Sequence, residues 1–158
     1  MAKKASPIPE GTSVISPYLI VRDAATMLAF YRRVFGAIEA GRHAQPDGRI
    51  GHAEIRIGGA TVMLADEFPE MGIVSPLTIG TARSPVSIHV YLDDVDDVYR
   101  KALDAGATPI REPADQFYGD RNAQFRDPSG HVWSIATHVE DVSSAEMEKR
   151  VAAMNAKA

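Results

Sequence analysis

The stretch Ile50-Gly51-His52-Ala53-Glu54-Ile55-Arg56-Ile57-Gly58-Gly59-Ala60-Thr61-Val62-Met63-Leu64 decides the fold. Ala53, Ile55 and Ile57 alternate with His52, Glu54 and Arg56, the period of a half-buried strand. Gly58-Gly59 signals a hairpin, and residues 60–64 return as a second strand. The pattern comes back 70 positions later, where Asn122-Ala123-Gln124-Phe125-Arg126 echoes His52-Ala53-Glu54-Ile55-Arg56. Asp127-Pro128-Ser129-Gly130 then supplies a type I turn, and residues 132–138 close the second hairpin. Gly36-Ala37 and Gly106-Ala107 stand at the same offset of 70. A chain that repeats at helix end, strand and turn is built from two copies of one unit.

Working outward, residues 13–22 read as a strand, with Pro17 marking an edge or a bulge. Asp23 caps a helix over 24–35, with Met27, Leu28, Phe30, Tyr31 and Val34 at helical spacing and Gly36 as its stop. Residues 37–45 form a strand before the turn Pro46-Asp47-Gly48. The second copy runs in the same order: a strand over 86–92, a helix over 95–105 capped by Asp94, and strands over 107–111, 120–126 and 132–138. Residues 66–84 carry prolines and glycines without a period and read as a long connection. Ser143 with Glu146 starts a last helix over 143–156, fraying near Lys157. The expected fold is α+β: two βαβββ modules forming a curved mixed sheet with helices on its outer face. A disordered tail covers 1–12 and a single domain covers 13–140. Within it lie module one (13–66), a linker (67–84) and module two (85–138).

The 158 residues are 45% hydrophobic and 24% charged, the balance of a globular protein. A net charge of -4 leaves no basic face for nucleic acid. With no cysteine, a disulfide framework, a thiolate metal site and a cysteine nucleophile are all excluded. No stretch reaches the roughly 20 apolar residues of a membrane span, and no apolar region follows Lys3-Lys4 as in a signal peptide. We expect a cytoplasmic protein with no nucleic-acid or membrane partner.

Two βαβββ modules resemble the vicinal-oxygen-chelate superfamily, which includes glyoxalase I, extradiol dioxygenases and bleomycin-type antibiotic-binding proteins. Ser16-Pro17-Tyr18-Leu19, Phe30-Tyr31-Arg32-Arg33-Val34-Phe35-Gly36-Ala37, Tyr118-Gly119-Asp120-Arg121 and Asp127-Pro128-Ser129-Gly130-His131-Val132-Trp133 resemble its PhnB-like branch, over roughly residues 13–150. The resemblance implies one metal ligand on the first and last strand of each module. Carried over, these positions fall at Ser16, Leu64, Ser87 and Ser134. Hydroxyls and a leucine do not replace imidazole and carboxylate, so no metal and no cofactor are expected. An unorthodox set of His52, Glu54 and His89 is the alternative.

Strand alternation places Ser16, Tyr18, Ile20, Val62, Leu64, Ser87, His89, Tyr91, Val132 and Ser134 on a concave face. Leu19, Val21, Ile88, Val90, Leu92, Trp133 and Ile135 fall under the helices. The candidate ligand-binding residues are Tyr18, His52, Glu54, Ser87, His89, Tyr91, Ser134 and Arg121. Asp120 and Arg121 either clamp a ligand or pair with neighbours to fix the loop. His131 is expected at the surface, while His43 and His138 show no constellation. The function implied is metal-independent binding of a small organic molecule, of the antibiotic-sequestration type, by a homodimer. The alternative is a lyase or isomerase of glyoxalase or dioxygenase type, using unorthodox metal ligands or a His/Glu base.

Overall fold

A computed structural model describes residues 5–9, 11–81 and 84–156. The chain divides into two compact units, residues 1–84 with 128–131 and residues 85–127 with 132–158. The expected linker therefore belongs to the first unit.

In the first unit the order is β1 (Tyr18–Val21), α1 (Ala24–Phe35), β2 (Ile38–Ala44), β3 (Ile50–Ile57) and β4 (Ala60–Asp66). A 3-10 turn (Pro69–Met71) and α2 (Pro76–Ile79) follow. The sheet order is β1-β4-β3-β2, with β1 parallel to β4 and the other pairs antiparallel. β1 is shorter than the sequence suggested because Pro17 has no N–H for the ladder; its carbonyl still accepts from Met63 N. Asp23 caps α1 through Thr26 N, and Gly36 ends it in the left-handed region at φ 63°. The expected tail lies partly outside the described residues, which omit 1–4 and 10. Within it, the Gly11 carbonyl accepts from Arg56 Nη1 at 2.6 Å.

The second unit holds β5 (Ser87–Tyr91), α3 (Val95–Asp104), β6 (Thr108–Asp115), β7 (Asp120–Arg126), β8 (Val132–His138) and α4 (Ser144–Asn155). Its sheet order, β5-β8-β7-β6, matches the first. β6 runs past Pro109 and Pro113 because it is an edge strand, where a missing donor and register shifts are tolerated. The fraying expected near Lys157 lies outside the described residues.

Residues 66–81 are more ordered than their composition suggests. Ser75 is buried, takes a carboxylate oxygen of Glu67 at 2.6 Å on its N–H, and caps α2. The turn 128–131 packs in the same unit. Ser129 O accepts from Leu77 N, Ser129 Oγ accepts from Arg22 N, and His131 Nε2 bonds the Ile20 carbonyl at 2.9 Å. His131 is thus half-buried and engaged, not at the surface as expected.

Register corrects one expectation. Leu64 pairs with Leu19 and Ala53, and Val62 pairs with Ile55; all five are buried. Paired residues share a face, so Val62 and Leu64 lie with Leu19 and Val21 in the core against which α1 packs. The open face of β4 carries Thr61, Met63 and Ala65 instead. The error has a simple source. Arg56 pairs with Thr61 but Arg126 with Val132, so the second hairpin turn is one residue longer. The repeat offset is 70 from the helix end through β3 and β7, and 71 after that turn. Ser134 corresponds to Met63, and Leu64 to buried Ile135. A slip of one residue along a strand reverses the face.

Candidate functional site

Each sheet has a helix-packed face and an open face, and the candidate side chains collect on the open ones. In the first unit, Tyr18 reaches across β4, whose open-face residues beside it are Met63 and small Ala65. The Tyr18 hydroxyl lies 3.0 Å from His52 Nδ1, and His52 Nε2 lies 3.2 Å from Glu54 Oε1. The His43 ring stacks beside His52 at 6.4 Å. β3 brings this about by its alternation: Ala53 and Ile55 anchor the strand in the core, which turns His52 and Glu54 outward.

In the second unit, buried Trp133, Ile135, Ala123 and Phe125 fix β7 and β8. Ser87, His89 and Tyr91 then alternate outward on β5, and Ser134 shares their face as the register partner of His89. His89 Nδ1 lies 3.2 Å from Ser134 Oγ, and the His89 and Tyr91 rings meet edge-on at 4.8 Å. Tyr91 donates to Asp120 Oδ2 at 2.8 Å. His138 joins Asp120 Oδ1 at 2.8 Å and Asp141 Oδ1 at 3.0 Å. An open cleft of about 480 Å³ borders Tyr91, Leu92, Asp93, Thr137 and His138. Deeper on this face, Asn122 donates to the Tyr118 hydroxyl, while its own buried carbonyl oxygen has no partner among the described residues.

Asp120 is the electrostatic centre of this group. Burial alone pushes its carboxyl up, but the hydrogen bonds from His138 and Tyr91 prevail and hold it below the usual range. The same contact, with help from Asp141, raises the His138 imidazole, and it raises the Tyr91 phenol.

Of the eight candidate residues, Tyr18, His52 and Glu54 come together in the first unit and Ser87, His89, Tyr91 and Ser134 in the second. Arg121 joins neither group. It pairs with Thr137 on the helix-packed side, and Asp96 at 2.6 Å and Asp115 at 3.0 Å hold its guanidinium. Of the two roles open to it, the geometry gives the loop-fixing one. Sequence reading missed the His138 constellation. The signal was present: Arg126 opposite Val132 puts Asp120 opposite His138 by counting outward from the turn.

A second cleft, about 500 Å³, lies in the first unit and is lined by Arg22, Arg42, Arg49, Asp66 and Glu67 among others. Its charges are held by neighbouring groups. Arg49 holds Asp47 and Glu70, Arg42 holds Glu39, and Asp66 accepts two backbone N–H groups. Ion pairs and backbone hydrogen bonds occupy these side chains structurally.

Residues 13–135 match the sequence model of the Glyoxalase/Bleomycin resistance protein/Dioxygenase superfamily. The chain belongs to that superfamily. An uncharacterized protein of Mycobacterium tuberculosis H37Rv is 42% identical over 137 residues, 85% of this chain and 79% of its own length. Its Mycobacterium bovis relative is 42% identical over 85% of this chain and 89% of its own. Among solved structures, TioX from Micromonospora sp. ML1 is 28% identical, with a TM-score of 0.60 over 80% of this chain and 99% of that one. The fosfomycin resistance protein FosX from Mesorhizobium loti shares the fold at 20% identity, with a TM-score of 0.58 over 85% of this chain and 95% of that one.

Metal binding in the superfamily sets a test for this chain. With the register corrected, the ligand positions carried over by resemblance hold Ser16, Met63, Ser87 and Ser134. Ser16 Oγ is buried without a partner among the described residues, yet neutral hydroxyls and a thioether are not the donor set of a hard or borderline divalent ion. The unorthodox set is not assembled either. Both His52 ring nitrogens are engaged, and no group of three or more His, Asp or Glu among the described residues is arranged to hold an ion. The residues present do not fit the metal.

Proposed function

We propose that this chain is a metal-independent, PhnB-like member of the superfamily that binds a small organic molecule on the open faces of its sheets, in the manner of an antibiotic-sequestering protein. One observation carries the reading. The positions that would hold a metal bear hydroxyls and a thioether, while the same faces present half-exposed aromatic and hydrogen-bonding side chains. Tyr18, His52, Glu54, Ser87, His89, Tyr91 and Ser134 are the binding residues in this proposal; Arg121 is left out because its donors are occupied. Aromatic bodies with polar tips suit an organic ligand. Exposed Val14, Ile15 and Val86 support a homodimer as part of the same reading.

A thermal-shift screen of metabolites and antibiotics, repeated after exhaustive chelation, tests the proposal. Stabilisation by an organic ligand that survives chelation is the expected result. Stoichiometric metal that resists dialysis against chelator, or ligand binding that vanishes with the metal, overturns it. Light scattering at micromolar concentration tests the dimer, and a mass near 17.1 kDa refutes it.

A specific observation favours a second reading, a metal-free isomerase or lyase. Glu54 and His52 are hydrogen-bonded on an open face, the pairing of a carboxylate that orients an imidazole for proton transfer.

A further inference from the structure

We infer that Tyr18, rather than His52 or Glu54, is the atom-level proton acceptor of the first unit's open face. His52 and Glu54 act behind it as a relay. The inference deepens the second reading above and rests on it.

The polarity of the chain Tyr18–His52–Glu54 follows from its composition. An ionised Glu54 carboxylate can only accept, so the His52 Nε2 facing it at 3.2 Å carries the proton. With the imidazole neutral, Nδ1 is then the lone-pair nitrogen, and the Tyr18 hydroxyl 3.0 Å away donates to it. Both ring nitrogens of His52 are thereby occupied, and no basic lone pair of His52 faces outward. Of the three, Tyr18 is the most exposed, at 49% of the residue, against 32% and 34% for the His52 and Glu54 side chains, and Glu54 spends Oε1 on His52; the group presented foremost to a ligand is the Tyr18 oxygen. A nucleophile or base backed by an imidazole, itself oriented by a carboxylate, is the general arrangement of an activated hydroxyl.

The step balances. The Tyr18 oxygen takes a proton from the bound molecule, the phenolic proton passes to His52 Nδ1, and Glu54 stabilises the resulting imidazolium. The substrate's X–H bond breaks and its electron pair stays on the substrate. The class this suits is an organic molecule with an acidic proton, either a C–H beside a carbonyl or an enolic or phenolic O–H. Return of the proton at another atom completes an isomerisation; loss of a leaving group completes an elimination.

Tyr91 provides a control inside the same molecule. It is more exposed, at 61%, but its hydroxyl donates to the Asp120 carboxylate. That contact raises its phenol instead of relaying its proton to a neutral base.

The experiment is labelling of the full chain with an aryl sulfonyl fluoride, followed by peptide mass spectrometry. Attack of the tyrosine oxygen forms an S–O bond and expels fluoride, with the phenolic proton passing to His52. Aligned general bases contribute about 10²–10⁴-fold, so Tyr18 labelling about tenfold or more faster than Tyr91 is the expected result. His52→Gln should bring the Tyr18 rate to that of Tyr91, and Glu54→Gln should place it between. The Tyr91 rate within each variant reports whether the fold is intact. Tyr18 labelling no faster than Tyr91 in the unaltered protein overturns the inference, and so does a fast Tyr18 indifferent to either substitution. No ligand is present in this assay, so its failure is separate from a failure of ligand binding in the thermal-shift screen.

Discussion

Asp66→Ala should be among the most damaging single substitutions in the first unit. Asp66 ends β4 and is buried, and its two carboxylate oxygens accept from two elements at once. Oδ1 takes the Ala24 N–H at the start of α1, at 2.7 Å, and Oδ2 takes the Ile50 N–H at the start of β3, at 2.6 Å. Hydrogen bonds to a charged acceptor are worth about 1.5–3 kcal/mol each, so the pair amounts to about 3–6 kcal/mol. Water entering from the cleft that Asp66 borders can satisfy part of what is lost, which favours the lower end, about 3 kcal/mol. Asp66→Asn keeps one acceptor and turns an NH₂ toward the other N–H, so roughly half the loss is expected from it. Urea unfolding followed by far-UV circular dichroism is the assay. At an m value of about 2 kcal/mol/M, Asp66→Ala should lower the midpoint by about 1.5 M and Asp66→Asn by about half that. An Asp66→Ala midpoint unchanged within error, or an Asn variant weaker than the Ala variant, refutes the argument that this carboxylate ties α1 to β3.

Three further outcomes are expected. His89→Ala should cost about 1 kcal/mol or less, because His89 is exposed and loses its contacts with Ser134 and the Tyr91 ring at the surface, and yet abolish or weaken ligand binding; Val90→Ala, half-buried on the opposite side, should cost about 1 kcal/mol and leave binding intact. A reversed pattern in denaturation and binding titrations would mean that β5 faces the other way. The His138–Asp120 contact should make stability depend on pH from both sides. The raised His138 stabilises fully below its ordinary 6.5 and loses this as pH rises through its folded value; the lowered Asp120 stabilises fully above its ordinary 3.8 and loses this as pH falls through its folded value. Melting temperatures of His138→Gln should therefore flatten above pH 6.5 relative to the unaltered chain, and an unchanged slope there counts against the contact. Asp127→Ala strips the acceptor from the buried Trp133 indole, whose N–H lies 2.9 Å from Asp127 Oδ2, and should cost about 1–3 kcal/mol by tryptophan-fluorescence unfolding, whereas Asp127→Asn retains an acceptor and should cost less.

The local signals determined most of the secondary structure. Asp23 and Gly36 bound α1 as read, the alternation of residues 50–57 set β3, and Asp127-Pro128-Ser129-Gly130 set the turn before β8. Each depends on neighbours within a few residues, and the 70-residue repeat then required two units of one topology. The outward direction of His52, Glu54, His89 and Tyr91 was legible for the same reason, since side chains alternate along any strand. Contacts between distant strands were a different matter. Whether Leu64 or Met63 faces outward is decided by their pairing with β1 and β3, which a repeat count across the longer second hairpin turn misplaced by one residue. Whether Arg121 meets a ligand depends on Asp96, 25 positions away on α3. His138 looked isolated until β8 was laid against β7 and Asp120 came to lie beside it. Tyr18 and His52 are 34 residues apart, on strands that β4 separates, and only the assembled sheet makes them a hydrogen-bonded pair. Period and capping are properties of the chain near each residue; register and partnership arise when burial of the apolar faces fixes which strands lie side by side.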